Sequence, residues 1–373
     1  EALAHCFLTD ARRPLVVTGT HGKTTTTGLL VYLLRHAGVG PGFLIGGVMQ
    51  ETNQSYALGT GAPFVIEGDE YDSAYFDKRP KFMHYRPQRA IVTSLEFDHA
   101  DIFENEADYR NAFEDFVGLL PSDGLLALCG DHPAVRALAS HTDATVRTYG
   151  LEAENDVRAT DLSSTADGTR FTMTLGGTAT DVGLPLHGRH NVQNALAAAM
   201  LAHAEGLSPT QIAEGLASFA GMKRRQEVRG EPNGVLVLDD FAHHPTAVEA
   251  TLQAVRAAHP NRRLVAVFEP RSNSSRRKLF ETAYGEAFDA ADAVFLKAPP
   301  VRHNDDADAM LDPDAVVGTI RERGVPAQAF AEVDSLLPAL TDELRPGDVA
   351  LLMSNGSFDG LHERLLSALA PSE

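Results

Sequence analysis

The sequence predicts an α/β protein of two open-sheet domains, the first built round a phosphate-binding loop. Three observations carry this. Short continuous apolar runs bounded by turn residues alternate with helical segments, the pattern of a parallel sheet covered on both faces. A strand, a loop with two glycines and a helix start follow one another at Val16-Val17-Thr18-Gly19-Thr20-His21-Gly22-Lys23-Thr24-Thr25. The α/β rhythm then breaks in a charged stretch, Lys223 to Gly234, and restarts. The expected architecture is a P-loop ATPase-like domain with a parallel sheet and a small antiparallel β insertion over residues 1–225, followed by a Rossmann-like open α/β domain over 226–373.

Taken in order, Leu15 to Val17 reads as a buried strand, and the next helix carries apolar residues at Leu29, Leu30, Leu33 and Leu34. Phe43 to Val48, Pro63 to Ile66, Ala90 to Thr93 and Leu125 to Cys129 are further strands, with helices over Tyr109 to Leu120 and Pro133 to Ser140. Residues 157–186 differ: β-branched and polar residues partly alternate about the turn signal Thr165-Ala166-Asp167-Gly168, which predicts the antiparallel insertion. The Ala-rich run Asn191 to Ala204 should be a well-formed helix, with Asn191 able to cap it. Beyond the break come a strand at Val235 to Leu238, a helix at Pro245 to Ala258 with Pro in its first turn, and strands at Leu264 to Phe268, Ala293 to Leu296 and Val349 to Met353. This half lacks the G-x-G-x-x-G fingerprint of dinucleotide binding.

A length of 373 residues suits two domains, each able to bury its own core. The 51 acidic against 32 basic residues give a formal charge of −19, which argues against nucleic acid or an anionic membrane as partner. A nucleotide would instead be held by a local lysine, backbone dipoles and Mg²⁺. Cys6 and Cys129 make no disulfide framework, no apolar stretch is long enough to span a membrane, and the first residues do not resemble a signal peptide. These features predict a cytoplasmic protein. Nothing in them specifies an oligomeric state.

At the loop, backbone N–H groups of the helix start would face an anion, Lys23 would neutralise it, and the Thr24 hydroxyl would reach a metal. The spacing departs from G-x-x-x-x-G-K-[ST], because position 17 is Val. Two strands of the same domain end in acidic clusters, Glu67-Gly68-Asp69-Glu70-Tyr71-Asp72 and Glu96-Phe97-Asp98-His99-Ala100-Asp101. Parallel strands share one carboxyl edge, so these clusters should converge on the phosphates. A carboxylate facing a phosphate at 4 Å is repelled by about 4 kcal/mol at an effective dielectric of 20. Only an intervening cation makes the arrangement sensible, and Mg²⁺ with Thr24, Glu67 and His99 as ligands is the expected solution.

These stretches, together with Gly188-Arg189-His190-Asn191-Val192-Gln193-Asn194, Arg224-Arg225-Gln226-Glu227 and Asp239-Asp240-Phe241-Ala242-His243-His244-Pro245, resemble the Mur ligases. These are the ATP-dependent amide-forming enzymes of peptidoglycan assembly. Phe268-Glu269-Pro270-Arg271-Ser272-Asn273 and Met353-Ser354-Asn355-Gly356 resemble the branch that recycles murein tripeptide. The resemblance implies that ATP and Mg²⁺ are used, and that UDP-N-acetylmuramate is joined through an acyl phosphate to L-alanyl-γ-D-glutamyl-meso-diaminopimelate. L-alanine as acceptor, or a nucleotide-binding fragment without turnover, are the alternatives.

Residue by residue, the resemblance implies that Gly19, Thr20, His21, Gly22, Lys23, Thr24 and Thr25 hold the phosphates. Thr24 and Glu67 would bind one Mg²⁺ and His99 the second, with Lys23, Glu67 and His99 as the catalytic set. Asn191 and Asn194 would read adenine, Arg225 would reach the γ-phosphate, and Asp240 and His243 would lie towards the rest of the nucleotide. Arg271, Ser272, Asn273, Ser354 and Asn355 would meet the acceptor's carboxylates. Many relatives bridge their metals with a carbamoylated lysine after the histidine, but no lysine lies between Lys81 and Lys223 here. Glu114 stands near that position and is the expected substitute. The family's UDP-gripping domain would precede Glu1, so the chain is expected to be a fragment.

Overall fold

The computed structural model describes residues 2–9, 11–99, 102–300 and 309–370. Ala100 and Asp101 of the second acidic stretch, and Glu1, lie outside the described residues. The chain divides into two compact units, Glu1–Lys223 and Arg224–Glu373.

The first unit opens with α1 (Ala2–Phe7), β1 (Arg13–Thr18), α2 (Lys23–His36), β2 (Gly42–Leu44), β3 (Tyr56–Ala57) and β4 (Pro63–Glu67). A hairpin, β5 (Asp72–Ala74) and β6 (Asp77–Pro80), precedes β7 (Arg89–Val92), α3 (Glu106–Val117), β8 (Leu125–Cys129), α4 (Pro133–Ala137) and β9 (Thr145–Gly150). It closes with β10 (Val157–Thr165), β11 (Gly168–Leu175), β12 (Thr178–Leu184), α5 (Arg189–Ala204) and α6 (Pro209–Ala217). Ten strands form one sheet in the order β12-β11-β10-β9-β8-β7-β1-β4-β2-β3. β1 pairs in parallel with β4 and β7, placing Val17 opposite Glu67 and Thr18 opposite Val92. The carboxyl ends of all three strands therefore meet at one edge.

The expected antiparallel insertion is present as β10–β12, and β10 pairs in parallel with β9, so it carries the main sheet onward. Other local details differ from the expectation, each for a visible reason. The expected strand at 43–48 stops at Leu44, because the Gly46 N–H turns to donate to Glu67 Oε2 at 2.8 Å. α3 begins at Glu106, where the Asn105 side chain accepts from the Asp108 N–H at 3.0 Å. Asn191 does not cap α5. That helix starts two positions earlier behind Gly188, at φ 97°, and the Asn191 amide donates to the His187 carbonyl at 2.8 Å.

The second unit contains β13 (Glu227–Gly230), β14 (Leu236–Asp240), α7 (Pro245–Ala258), β15 (Leu264–Glu269), α8 (Glu281–Glu286) and β16 (Ala293–Lys297). α9 (Pro313–Glu322), β17 (Ala327–Phe330), α10 (Val333–Glu343), β18 (Val349–Ser354) and α11 (Leu361–Leu369) complete it. Its sheet runs β13-β14-β18-β15-β16-β17, parallel except for β13. Strand residues alternate between two cores. Leu264, Ala266 and Phe268 face Val248, Leu252 and Tyr284 of α7 and α8, while Val265 and Val267 face Leu336, Leu340 and Leu361 of α10 and α11. Burying each such large apolar side chain contributes about 1.5–3 kcal/mol, so both faces are anchored and the carboxyl edge is left for polar residues.

Candidate active site

α2 follows β1 at the centre of the first sheet, and Leu29, Leu30, Leu33 and Leu34 are fully buried beneath it. Its N-cap is Gly22, left-handed at φ 81°, which provides no side-chain cap. An uncapped helix start carries unsatisfied N–H groups and the positive end of the macrodipole, the usual seat of an anion. Gly19, at φ 125°, lets the chain leave β1 against Thr93 and Ser94.

The loop is tied down around that seat. The Thr20 hydroxyl donates to the Glu96 carbonyl and accepts from the Glu96 N–H, both at 2.9 Å, and lies 3.0 Å from the Tyr109 hydroxyl. The Thr20 and His21 N–H groups donate to the Ser94 carbonyl and hydroxyl at 3.1 and 2.8 Å. His21 Nε2 sits 2.7 Å from Glu96 Oε2. Thr25 is buried in the first turn.

Lys23 Nζ donates to the Gly19 carbonyl, to the Thr20 carbonyl at 3.1 Å and to Glu70 Oε1 at 2.8 Å. His99 Nε2 lies 3.1 Å from the same Glu70 oxygen. Burial opposes charge on all three groups, yet the attraction of Glu70 for Lys23 and for His99, joined at His99 by Asp98, prevails over burial and over the repulsion between the two cations. Lys23 and His99 are both held above their ordinary pKa ranges, against the pull of burial, and Glu70 is held below its own by Lys23 and His99. His99 has a left-handed backbone at φ 56°, and its ring meets the Tyr71 ring edge-on at 4.3 Å.

The Thr24 hydroxyl donates to Glu67 Oε1 at 2.9 Å. Mg²⁺ binds oxygen at 2.0–2.1 Å in an octahedron, so neighbouring ligand atoms stand about 3.0 Å apart. The Thr24–Glu67 spacing matches one such edge, and a hydroxyl beside a carboxylate is a donor pair that fits the ion; His99 stands instead against Glu70. Glu114 does not join it. Its carboxylate faces His141 Nδ1 at 3.6 Å, just ahead of β9 at the amino end of the sheet. Tyr109, which reaches Thr20, lies five residues earlier on α3, and a helix advances about 1.5 Å per residue. Glu114 therefore belongs to the opposite edge, and the expectation that it replaces the bridging lysine is corrected.

Asn194 lies beside the loop on α5. Its Oδ1 accepts from the Thr26 hydroxyl at 3.1 Å, and its Nδ2 donates to Asn191 Oδ1 at 3.2 Å. Both asparagines are buried.

The second unit has its own polar edge. Asp240 ends β14, is buried, and accepts from the N–H groups of Gln226 and Ala242 at 2.8 and 2.7 Å. Burial raises its pKa, with the Arg225 guanidinium opposing the shift. Arg225 lies over the Phe241 ring at 4.5 Å, and His243 Nδ1 is 3.0 Å from the Phe241 carbonyl. Ser354 donates to Glu269 Oε2 at 2.6 Å, and Arg271 reaches Glu269 Oε1 at 3.3 Å. The Ser272 hydroxyl turns to Ser275 at 2.8 Å, Asn273 adjoins it in the same loop, and Asn355 Oδ1 is buried with no hydrogen bond. Glu70 and Glu269, the buried carboxylates that organise the two clusters, were not among the expected site residues. Each sits inside a quoted motif, yet spacing alone does not tell which acid of several turns inward.

With this geometry in place, the Mur ligase middle domain profile matches residues 17–202, and the profile for the Mur ligase glutamate ligase domain matches 224–356. The UDP-N-acetylmuramate–L-alanyl-γ-D-glutamyl-meso-2,6-diaminoheptandioate ligase of Escherichia coli K12 is 38% identical over 98% of this chain and 78% of its own length. The chain belongs to the Mur ligase family. A UDP-N-acetylmuramate–L-alanine ligase of Roseiflexus sp. RS-1 is 36% identical over 96% of the chain and 78% of its own length. The crystal structure of a murein peptide ligase from Psychrobacter arcticus 273-4 superposes with a TM-score of 0.74 at 34% identity, covering 100% of this chain and 80% of that one. As a Mur ligase, the chain presents two α/β units whose carboxyl edges carry the family's polar stretches. Among the described residues no helix is long and apolar enough to cross a membrane.

Proposed function

We propose that this Mur ligase joins UDP-N-acetylmuramate to L-alanyl-γ-D-glutamyl-meso-diaminopimelate at the expense of ATP, in peptidoglycan recycling in the cytoplasm. The observation that carries the reading is the 38% identity over 98% of the chain to a ligase named for those substrates. The loop geometry supports the ATP step. Lys23 and the uncapped α2 start hold the β- and γ-phosphates, Thr24 and Glu67 hold one Mg²⁺ and His99 a second, and the metal supplies charge neutralisation at the transferring phosphoryl group. Asn194 with Asn191 reads adenine, Arg225 serves the γ-phosphate, and Asp240 and His243 serve the rest of the nucleotide.

The lactate carboxylate oxygen attacks the γ-phosphorus and ADP leaves, forming an acyl phosphate. The tripeptide's α-amine then attacks the acyl carbon, the C–O bond to phosphate breaks, and the nitrogen loses a proton. The chain acts by positioning and by screening charge; holding two reactants in register is worth about 7–11 kcal/mol. Arg271, Ser272, Asn273, Ser354 and Asn355 take the acceptor's carboxylates.

The Roseiflexus relative, 36% identical, favours L-alanine as the second reading. Phosphate release from ATP and UDP-N-acetylmuramate, measured with each amine, separates the two. Release with the tripeptide is expected; release with L-alanine alone overturns the acceptor assignment, and release with neither amine supports the nucleotide-binding alternative.

A further inference from the structure

Glu70 is 1% exposed, yet its two oxygens are used unequally. Oε1 takes both Lys23 and His99, while Oε2 is buried and completes no hydrogen bond; the Tyr109 hydroxyl, which meets Thr20 at 3.0 Å, is the other polar group that interacts with this carboxylate. A buried carboxylate oxygen without a donor is out of place in a packed interior unless a further ligand belongs there. The 3.1 Å between His99 Nε2 and Glu70 Oε1 is also the separation of two neighbouring ligand atoms on a cation that binds at 2.0–2.1 Å.

Lys23 spends one of its three bonds on this carboxylate. An ammonium has three protons, and here they go to the Gly19 carbonyl, the Thr20 carbonyl and Glu70. The two carbonyls belong to the loop itself, which Thr20 fastens to Glu96. When a phosphate arrives, Glu70 is the partner Lys23 can exchange without dismantling the loop.

We propose that Glu70 is a ligand of the divalent cation held by His99, and that Lys23 masks it until phosphate draws the ammonium away. This rests on the reading that His99 holds a divalent cation next to the one at Thr24 and Glu67. Glu70, not Glu114, then supplies the carboxylate that the missing bridging lysine would have brought. The mask also makes cation and nucleotide binding mutually reinforcing, since each favours the state in which Lys23 has left Glu70.

The test is Mn²⁺ affinity of the full chain without nucleotide, followed by the electron paramagnetic resonance signal of free Mn²⁺. Lys23→Met should bind Mn²⁺ about tenfold more tightly than the unaltered chain, and adding Glu70→Gln should reverse that gain at least about tenfold, the scale on which loss of a ligand-shell group acts. The double variant loses both charges of the pair together, so it leaves no lysine stranded opposite a neutral amide. His99→Gln in the Lys23→Met background is the control for the underlying site. If His99→Gln weakens Mn²⁺ and Glu70→Gln changes it less than twofold, the Glu70 assignment is wrong and the cation site stands. If neither matters, the site itself is misplaced. A Lys23→Met variant that binds Mn²⁺ no better than the unaltered chain overturns the masking role.

Discussion

Replacing Lys23 with Met tests the phosphate loop through two separable quantities. The side chain is 15% exposed and its ammonium is 2.8 Å from a carboxylate that is 1% exposed. Stranding one member of a buried ion pair costs about 3–5 kcal/mol. Here His99 stays beside Glu70 at 3.1 Å, so the lower end, about 3 kcal/mol, is expected. The catalytic loss comes from charge. A lysine about 4 Å from a phosphoryl group contributes about 4 kcal/mol at an effective dielectric of 20, and at about 1.4 kcal/mol per decade kcat/KM should fall about a thousandfold. Denaturant unfolding reads the first effect and phosphate release the second. Adding Glu70→Gln to Lys23→Met removes the stranded charge, so it should recover about 1–2 kcal/mol of stability without restoring turnover. A Lys23→Met chain with native circular dichroism and a loss of turnover below tenfold would refute the placement of Lys23 at the phosphates.

Two further outcomes follow from the same loop. Partly buried His190 has its pKa lowered to about 4 by burial and by nearby His21, so its neutral form belongs to the folded state. The unfolded chain binds this proton first; stability should therefore fall as pH drops from about 6.5 to about 4, by about 1–2 kcal/mol once residual solvent exposure is allowed for, and His190→Gln should flatten that slope in denaturant titrations. At Gly19 an added Cβ would stand 2.8 Å from the Ser94 nitrogen and 2.9 Å from its carbonyl oxygen, at φ 125°. Gly19→Ala should weaken binding of a non-hydrolysable ATP analogue at least about tenfold by calorimetry, because backbone cannot yield as a side-chain end can; unchanged affinity would mean the loop is not the binding element.

The strand–loop–helix unit at 15–34 was legible because each residue there answers to one local rule: apolar run, glycine at positive φ, lysine and threonine at a helix start. The second sheet was legible for a similar reason, since its strands are continuous apolar runs. Glu70 was not, because β4 ends in one acid and three more follow within five residues, and only tertiary packing decides which one turns towards Lys23. Glu114 failed for the complementary reason. Its place in the chain suited a ligand, but α3 leads away from the sheet edge, and five residues of helix outweigh nearness in sequence. Asn191 yielded to Gly188, whose positive φ starts α5 earlier than side-chain preference suggests. Local chemistry was readable; the direction in which an element leaves the edge was not.

The fastening of Thr20 and His21 to residues 94–96 has a consequence for the energetics of nucleotide capture. A Gly-rich loop that ordered only around its ligand would lose backbone freedom on binding, at roughly 1–2 kcal/mol per residue. Here the partners that hold those two residues are the chain's own, the Ser94 carbonyl and hydroxyl and the Glu96 backbone. Calorimetry should therefore register capture as an exchange of partners at Lys23, with a small entropic penalty from the loop itself, and the rate of association should not wait on loop folding.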